Sequence, residues 1–243
     1  MFLQQEDISL VQPRIEVPNT IIDSFVSLHV KSGMEGIEIY FTSDGSEPTT
    51  TFFKYEKPLT ISEPGTYKFK SFHPEWKSSE TTSITFFKKG HQPKNILWNS
   101  KQNEKYSGQG PLTLINQKKA ALPYSNLEWV GFDSIVNAEV FFNEKTFIKS
   151  VDIGFLSDVQ SWIFPPASIT IIPNGSSKLE DKISVQLTEL EGPRLTEMKN
   201  LNIIINKEIN SLRLEIANIG SIPDWHDGAG SKAWLFMDEW IFN

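Results

Sequence analysis

A chain of 243 residues is long enough for two domains, and 39% apolar with 12% aromatic content is enough to build cores and favours strands over helices. A net charge of −7, from 23 basic against 30 acidic residues, leaves no electrostatic footprint for nucleic acid, because Lys88-Lys89 and Lys118-Lys119 are too short to follow a phosphate backbone. The lack of cysteine excludes a disulfide framework, a thiolate metal site and a cysteine nucleophile.

In chain order, the opening MFLQQEDISLVQP has neither the basic nor the long apolar region of a signal peptide, so the chain as written is expected to carry no export signal. No apolar run approaches the ~18 to 20 residues of a membrane span. Period-two alternation then begins: Val26, Leu28 and Val30 share one strand face, as do Ile37, Ile39 and Phe41, and Tyr67 with Phe69. Turn signals separate them at Ser32 to Gly36, Ser43 to Pro48 and Ser62 to Gly65. The first ~90 residues therefore predict a small antiparallel sandwich of about seven short strands. Within it, Asp44 and Glu47 of IYFTSDGSEPT read as the polar rim of a tight turn, where nothing would raise a carboxyl pKa for acid catalysis.

The segment KKGHQPK, Lys88 to Lys94, mixes charge, Gly and Pro without a periodic apolar residue. It sets the expected domains: 1–90, a linker at 91–94, and 95–243. Beyond it the alternation returns on a larger scale: Ala138, Val140 and Phe142; Val151, Ile153 and Phe155; Ile169 and Ile171; Ile183, Val185 and Leu187; Leu201, Ile203 and Ile205; Leu212, Leu214 and Ile216. With turn-rich connections at Pro173 to Ser177 and Asn218 to Ser231, some eight strands over ~150 residues suggest a jelly-roll sandwich. The chain reads as all-β, with helix expected only as a turn or two near Tyr124 to Leu127.

Chemistry is sparse. His29, His73, His91 and His226 show no metal-ligand spacing, and no nucleophile elbow, Walker loop or dinucleotide fingerprint occurs, so no catalytic residue is assigned. Asp238 and Glu239, adjacent on the last strand, are expected on opposite faces and hence unable to converge on one bond. Glu239 alone is placed on a face with Leu235, Met237 and Ile241, where a carboxylate needs a cation or strong donors; a calcium ion, a buried salt bridge and a frayed strand end all fit. The loop SIPDWHDGAGSKAW, Ser221 to Trp234, gathers Trp225, His226 and Asp227. Trp rings stack on sugar C–H faces while His and Asp pair with hydroxyls, so the loop suits a saccharide; equally, Trp225 can plug the sandwich end and His226 can fix a backbone carbonyl. Trp98, Tyr106, Tyr124, Trp129 and Trp162 carry the same two readings, most of them as core.

The stretch IYFTSDGSEPTTTFFKYEKPLTISEPGTYKFKSF resembles the chitobiase and β-hexosaminidase C-terminal domain, a fibronectin-III-associated, immunoglobulin-like module, over roughly Pro13 to Phe87. KYSGQGPLTLINQ, LEWVGFD, VDIGFLSDVQSWIFPP and GSIPDWHDGAGSKAWLFMDEW look like the discoidin-like, factor-V/VIII-type sandwich that follows it in Bacteroidetes glycoside hydrolase family 20 enzymes. The resemblance implies a non-catalytic accessory part of a secreted, periplasmic or cell-surface β-N-acetylhexosaminidase, whose D-E acid pair lies in an upstream catalytic barrel. One sandwich would brace that barrel and the other would bind glycan, with terminal N-acetylhexosamine or galactose as candidate ligands and Trp225, His226 and Asp227 as contacts. It also implies calcium near Glu239, with Asn116 of LINQ standing where an acid is usual. The alternative reading is a structural spacer or protein-interaction module without sugar binding.

Overall fold

The alternating segments of the first 90 residues fold into eight short strands: β1 (Arg14–Glu16), β2 (Ile21–Ile22), β3 (Val26–Lys31), β4 (Glu38–Thr42), β5 (Phe53–Lys54), β6 (Leu59–Ile61), β7 (Gly65–Phe72) and β8 (Thr82–Lys88). The computed structural model of the protein describes residues 9–98, 103–176, 178–187 and 196–243, so Ser177, the last residue of the expected turn at 173–177, lies outside the described residues. Backbone contacts divide the chain into two units, 1–89 and 90–243.

The first unit is a sandwich of a three-stranded sheet, β1-β3-β6, and a five-stranded sheet, β2-β8-β7-β4-β5. Pairing is antiparallel except for β2 with β8. Alternation decides what lies inside: Leu28 and Val30 of β3 and Ile61 of β6 meet Ile39 of β4, Phe69 of β7 and Phe86 of β8. Phe69 is fully buried, with Phe41 stacked at 5.6 Å and Tyr55 edge-on at 6.3 Å.

The second unit is built from β9 (Asn95–Trp98), β10 (Val130–Phe132), β11 (Val136–Ser157), β12 (Ser168–Pro173), β13 (Ile183–Gln186), β14 (Glu197–Ala217) and β15 (Leu235–Phe242). Seven strands are described where about eight were expected: the six alternating segments make four strands, since two pairs of them are single long ones, and β9, β10 and β15 complete the set. The segments at 138–142 and 151–155 both belong to β11, and those at 201–205 and 212–216 both to β14. The polar run between each pair reads as a turn, yet it contains no Gly or Pro to end a strand. Instead the ladder slips between Phe141/Thr146 and between Ile148/Ser150, and Asn206 takes a left-handed φ of 49° that asparagine tolerates. The long hairpin bends there. Its two halves form two layers: β9, the first half of β11, the second half of β14, β12 and β13 on one side, and β10, β15 and the remaining halves on the other. Val140, Ile171 and Leu214 from the first layer enclose one core with Ile153, Ile203, Met237 and Trp240 from the second.

Three-ten turns occur at Glu104–Tyr106, Pro111–Ile115, Val159–Ser161 and Leu179–Asp181. The segment 124–127, expected to hold a helical turn, is two successive reverse turns instead, closed by Asn126 N–H to Pro123 O at 2.9 Å and Trp129 N–H to Asn126 O at 3.0 Å. Residues 91–94, read as linker, are bonded into the second unit: His91 N–H donates to Phe242 O at 2.6 Å and Lys94 N–H to Phe141 O at 2.7 Å.

Candidate functional site

The carboxylates of the first unit are turned outward. Asp44 Oδ1 accepts the Ser46 hydroxyl at 2.6 Å and the Ser46 N–H at 3.0 Å, while Gly45 supplies the φ of 78° that closes the turn. Those bonds hold the Asp44 carboxyl below the usual carboxylate range. Glu47 accepts from the Thr81 hydroxyl and pairs with Lys70 at 3.4 Å and Lys68 at 3.6 Å, which lowers it as well. Both stay ionised, the opposite of what a general acid requires.

Asp238 and Glu239 depart from the expected geometry. Across the ladder, Ile153 faces Trp240 and Phe155 faces Met237, so the single residue Gly154 stands opposite both acids in a β-bulge. The bulge shifts the phase of β15: Leu235 and Met237 line the core before it, Trp240 and Phe242 after it, and Ile241 does not share their face. Both carboxyls are thereby turned toward the loop at 117–120, whereas adjacent residues of a regular strand would diverge. Asp238 Oδ1 accepts from Lys119 Nζ at 2.5 Å, and its Oδ2 accepts the Ala120 N–H at 3.0 Å. Lys119 Nζ also donates to Asn200 Oδ1 at 2.8 Å. Gly154 leaves the room, since a Cβ there would collide with the Asp238 carboxyl and the Lys119 ammonium. Burial pushes the Asp238 carboxyl up, and the Lys119 charge opposes it.

Glu239 Oε2 accepts the Gln117 N–H at 2.9 Å, and its Oε1 is buried without a hydrogen bond. Burial pushes this carboxyl up to about 8, against the pull of the Gln117 N–H. Asn116, expected beside Glu239 as a second oxygen ligand, shapes the same loop: its Nδ2 donates to Glu128 Oε2 at 2.6 Å, and its Oδ1 accepts the Lys118 N–H at 3.0 Å with one lone pair to spare. Among the described residues no group of three or more His, Asp or Glu is placed to hold a metal ion. A cation at Glu239 would draw its remaining ligands from loop carbonyls and amide oxygens, and the unbonded Glu239 Oε1 is the one observation that fits it.

The aromatic loop lies between β14 and β15 and is held by its own backbone. Ile222 N–H donates to Ser231 O at 2.8 Å, His226 N–H to Pro223 O at 3.1 Å and Ala229 N–H to His226 O at 2.9 Å. A second turn, 158–163, docks on it through Trp234 N–H to Trp162 O at 2.8 Å and Phe164 N–H to Trp234 O at 2.9 Å. Under both lies a satellite core of Phe164, Ile222 and Ala233. The three predicted contacts separate. Trp225 is 43% exposed, its ring edge-on to Phe164 at 6.4 Å, and Asp227 is exposed beside it. His226 is buried and has no ring nitrogen left for a sugar, because Nε2 bonds Val159 O at 2.9 Å and Nδ1 accepts the Gly228 N–H at 2.9 Å. It ties the two turns together. His226→Ala is expected to cost roughly 1–3 kcal/mol by orphaning these buried groups, and to speed amide exchange at Gly228, which hydrogen-exchange mass spectrometry would read.

Trp162 is one of the aromatics for which the sequence supports both a core and a sugar-contact role. It is 40% exposed, and its ring lies so close to Gly228 that a Cβ there would come within 2.9 Å of it. Only the Asp227-Gly228 pair hinted at this, and a turn explains that pair equally well. Trp129 and Trp240 are buried, whereas Tyr106 and Tyr124 are partly buried against Phe236.

Residues 21–83 match the family model of the chitobiase/beta-hexosaminidase C-terminal domain. No curated protein matches the chain. Among solved structures, the chain is similar to reduced XRCC1 bound to the DNA pol beta catalytic domain, at 10% identity over 63% of this chain and 97% of that one, with a TM-score of 0.37. A SusE-like protein is similar at 14% identity over 94% and 95%, TM-score 0.33. A fucolectin from striped bass (Morone saxatilis) serum is similar at 10% identity over 91% and 83%, TM-score 0.35.

Proposed function

We propose that this chain is a non-catalytic accessory part of a Bacteroidetes glycoside hydrolase family 20 β-N-acetylhexosaminidase exported from the cytoplasm, its first unit bracing an upstream catalytic barrel and its discoidin-like second unit holding glycan. The observation that carries this reading is the family match over 21–83, which covers most of the first sandwich. Glycan binding by the second unit rests on Trp225, half-exposed on a loop whose backbone is fixed, with Asp227 beside it as a hydroxyl acceptor. Terminal N-acetylhexosamine and galactose are the ligands to try first. Calcium belongs to the same reading, bound at Glu239, with Asn116 shaping the loop through Glu128 and Lys118.

A glycan array on the folded chain, in calcium and again in chelator, tests the reading. The expected result is binding to terminal N-acetylhexosamine or galactose that falls about tenfold or more in Trp225→Ala. A silent array with folded protein, or an unchanged profile in Trp225→Ala, would overturn the assignment and favour a structural spacer.

A further inference from the structure

Trp162 occupies a position that suits it poorly as a purely structural residue. It ends the three-ten turn Val159–Ser161 at φ 65° and ψ 20°, in the left-handed region that glycine takes freely and bulky L residues rarely enter. The turn needs only the backbone of this residue, whose N–H donates to Val159 O at 3.0 Å and whose O accepts the Trp234 N–H at 2.8 Å. The side chain packs on Gly228 and still stays 40% exposed, so part of the indole is open to solvent. Strained, exposed side chains held by a rigid frame are a feature of ligand sites.

Its neighbours point the same way. The Trp162 ring covers Gly228, two residues beyond His226, and the Trp225 ring stands edge-on to His226 at 5.8 Å. Two half-exposed indoles therefore sit on a pair of turns clamped by His226. Among the described residues, the charges carried by these two turns are acidic apart from Lys232: Asp224 and Asp227 flank Trp225 and are exposed, Asp158 at the base of the turn accepts the Thr196 hydroxyl at 3.1 Å, and Lys232 pairs with Asp133 at 3.7 Å.

We infer that Trp162 is a second stacking ring of the glycan site, and that the paired platform takes uncharged pyranose chains while its acidic rim rejects sialylated and sulfated ones. This rests on the reading of the second unit as carbohydrate-binding. Indole faces stack on the C–H face of any pyranose, so they select for ring and not for charge. The acids supply the discrimination, because an anionic sugar brought against Asp224 and Asp227 would meet like charge, while Lys232, the cation of this loop, is paired with Asp133.

The experiment titrates triacetylchitotriose, lactose, sialyllactose and a heparin-derived tetrasaccharide into the wild-type chain, Trp162→Gly, Trp162→Tyr and the double variant Asp224→Asn, Asp227→Asn. Trp162→Gly relieves the turn but removes the indole packed on Gly228, so it is first shown to be folded by its melting transition, and it is expected to lose about tenfold or more in affinity for the uncharged ligands. Trp162→Tyr should recover part of that loss, and the double Asn variant should gain affinity for the anionic sugars alone. Uncharged ligands bound as tightly by Trp162→Gly as by wild type, or anionic sugars bound as well as uncharged ones, would overturn the inference and leave the carbohydrate reading standing. If no sugar binds the folded wild-type chain, the carbohydrate reading itself falls, and this inference with it.

Discussion

Lys119→Met is expected to destabilise the second unit by about 3–5 kcal/mol, because it leaves Asp238 buried without its cation. For a unit of this size that is a fall in melting temperature of roughly 6–20 °C, read by calorimetry. The Asp238 side chain is 2% exposed and that of Lys119 9%, so water cannot replace the lost partner. Asp238→Asn keeps an oxygen for the Ala120 N–H but strands the ammonium beside Asn200, and it should cost a similar amount. Removing both charges together should cost clearly less than the sum, since neither ion is then left alone. Additive losses would show that the pair is not coupled and that the bulge stands without it. Gly154→Ala attacks the same junction sterically by driving a Cβ into both charged groups, and it should be among the most damaging single-methyl changes in the chain.

This junction also marks where the sequence stopped being legible. Period-two alternation was enough to read the strands, because it reports which residues face inward, and Leu28, Phe69, Val140 and Leu214 lie where that pattern puts them. The pattern holds only while the register is unbroken. At Asn206 and at Asp238-Glu239 a single extra residue shifts the phase, and a bulge has no fixed composition by which to recognise it. Treating β15 as regular therefore sent Asp238 and Glu239 to opposite faces, whereas the bulge turns both toward one loop. The candidate site divides in the same way. The loop at 221–234 stands out by composition, but the burial of His226 depends on Val159, 67 residues away in sequence, and no local signal carries that contact. Trp162 escaped because its strain is a property of backbone φ, to which a residue name is no guide.

Glu239 should make the stability of the second unit fall with pH in chelator. Its carboxyl titrates at about 8 in the folded chain against an ordinary 4.5, so between those values the folded state holds a proton that the unfolded state has released. Stability is then fully present below about pH 4.5, declines by about 1.4 kcal/mol per pH unit above it, and levels off beyond pH 8. The whole change is on the order of 3–5 kcal/mol, a loss that denaturant titrations at pH 5, 7 and 9 would resolve. Glu239→Gln keeps an acceptor for the Gln117 N–H and carries no titrating group, so its contribution should be flat over the same range. Calcium reverses the slope if it binds here. A metal ion takes the ionised carboxylate in competition with the proton, so its stabilising effect should be slight at pH 6, large at pH 9 and absent in Glu239→Gln. Equal stabilisation by calcium at both pH values would place any bound ion away from Glu239. A pH-independent stability in chelator would mean that Oε1 finds a partner in solution and that this carboxylate is ionised at neutral pH.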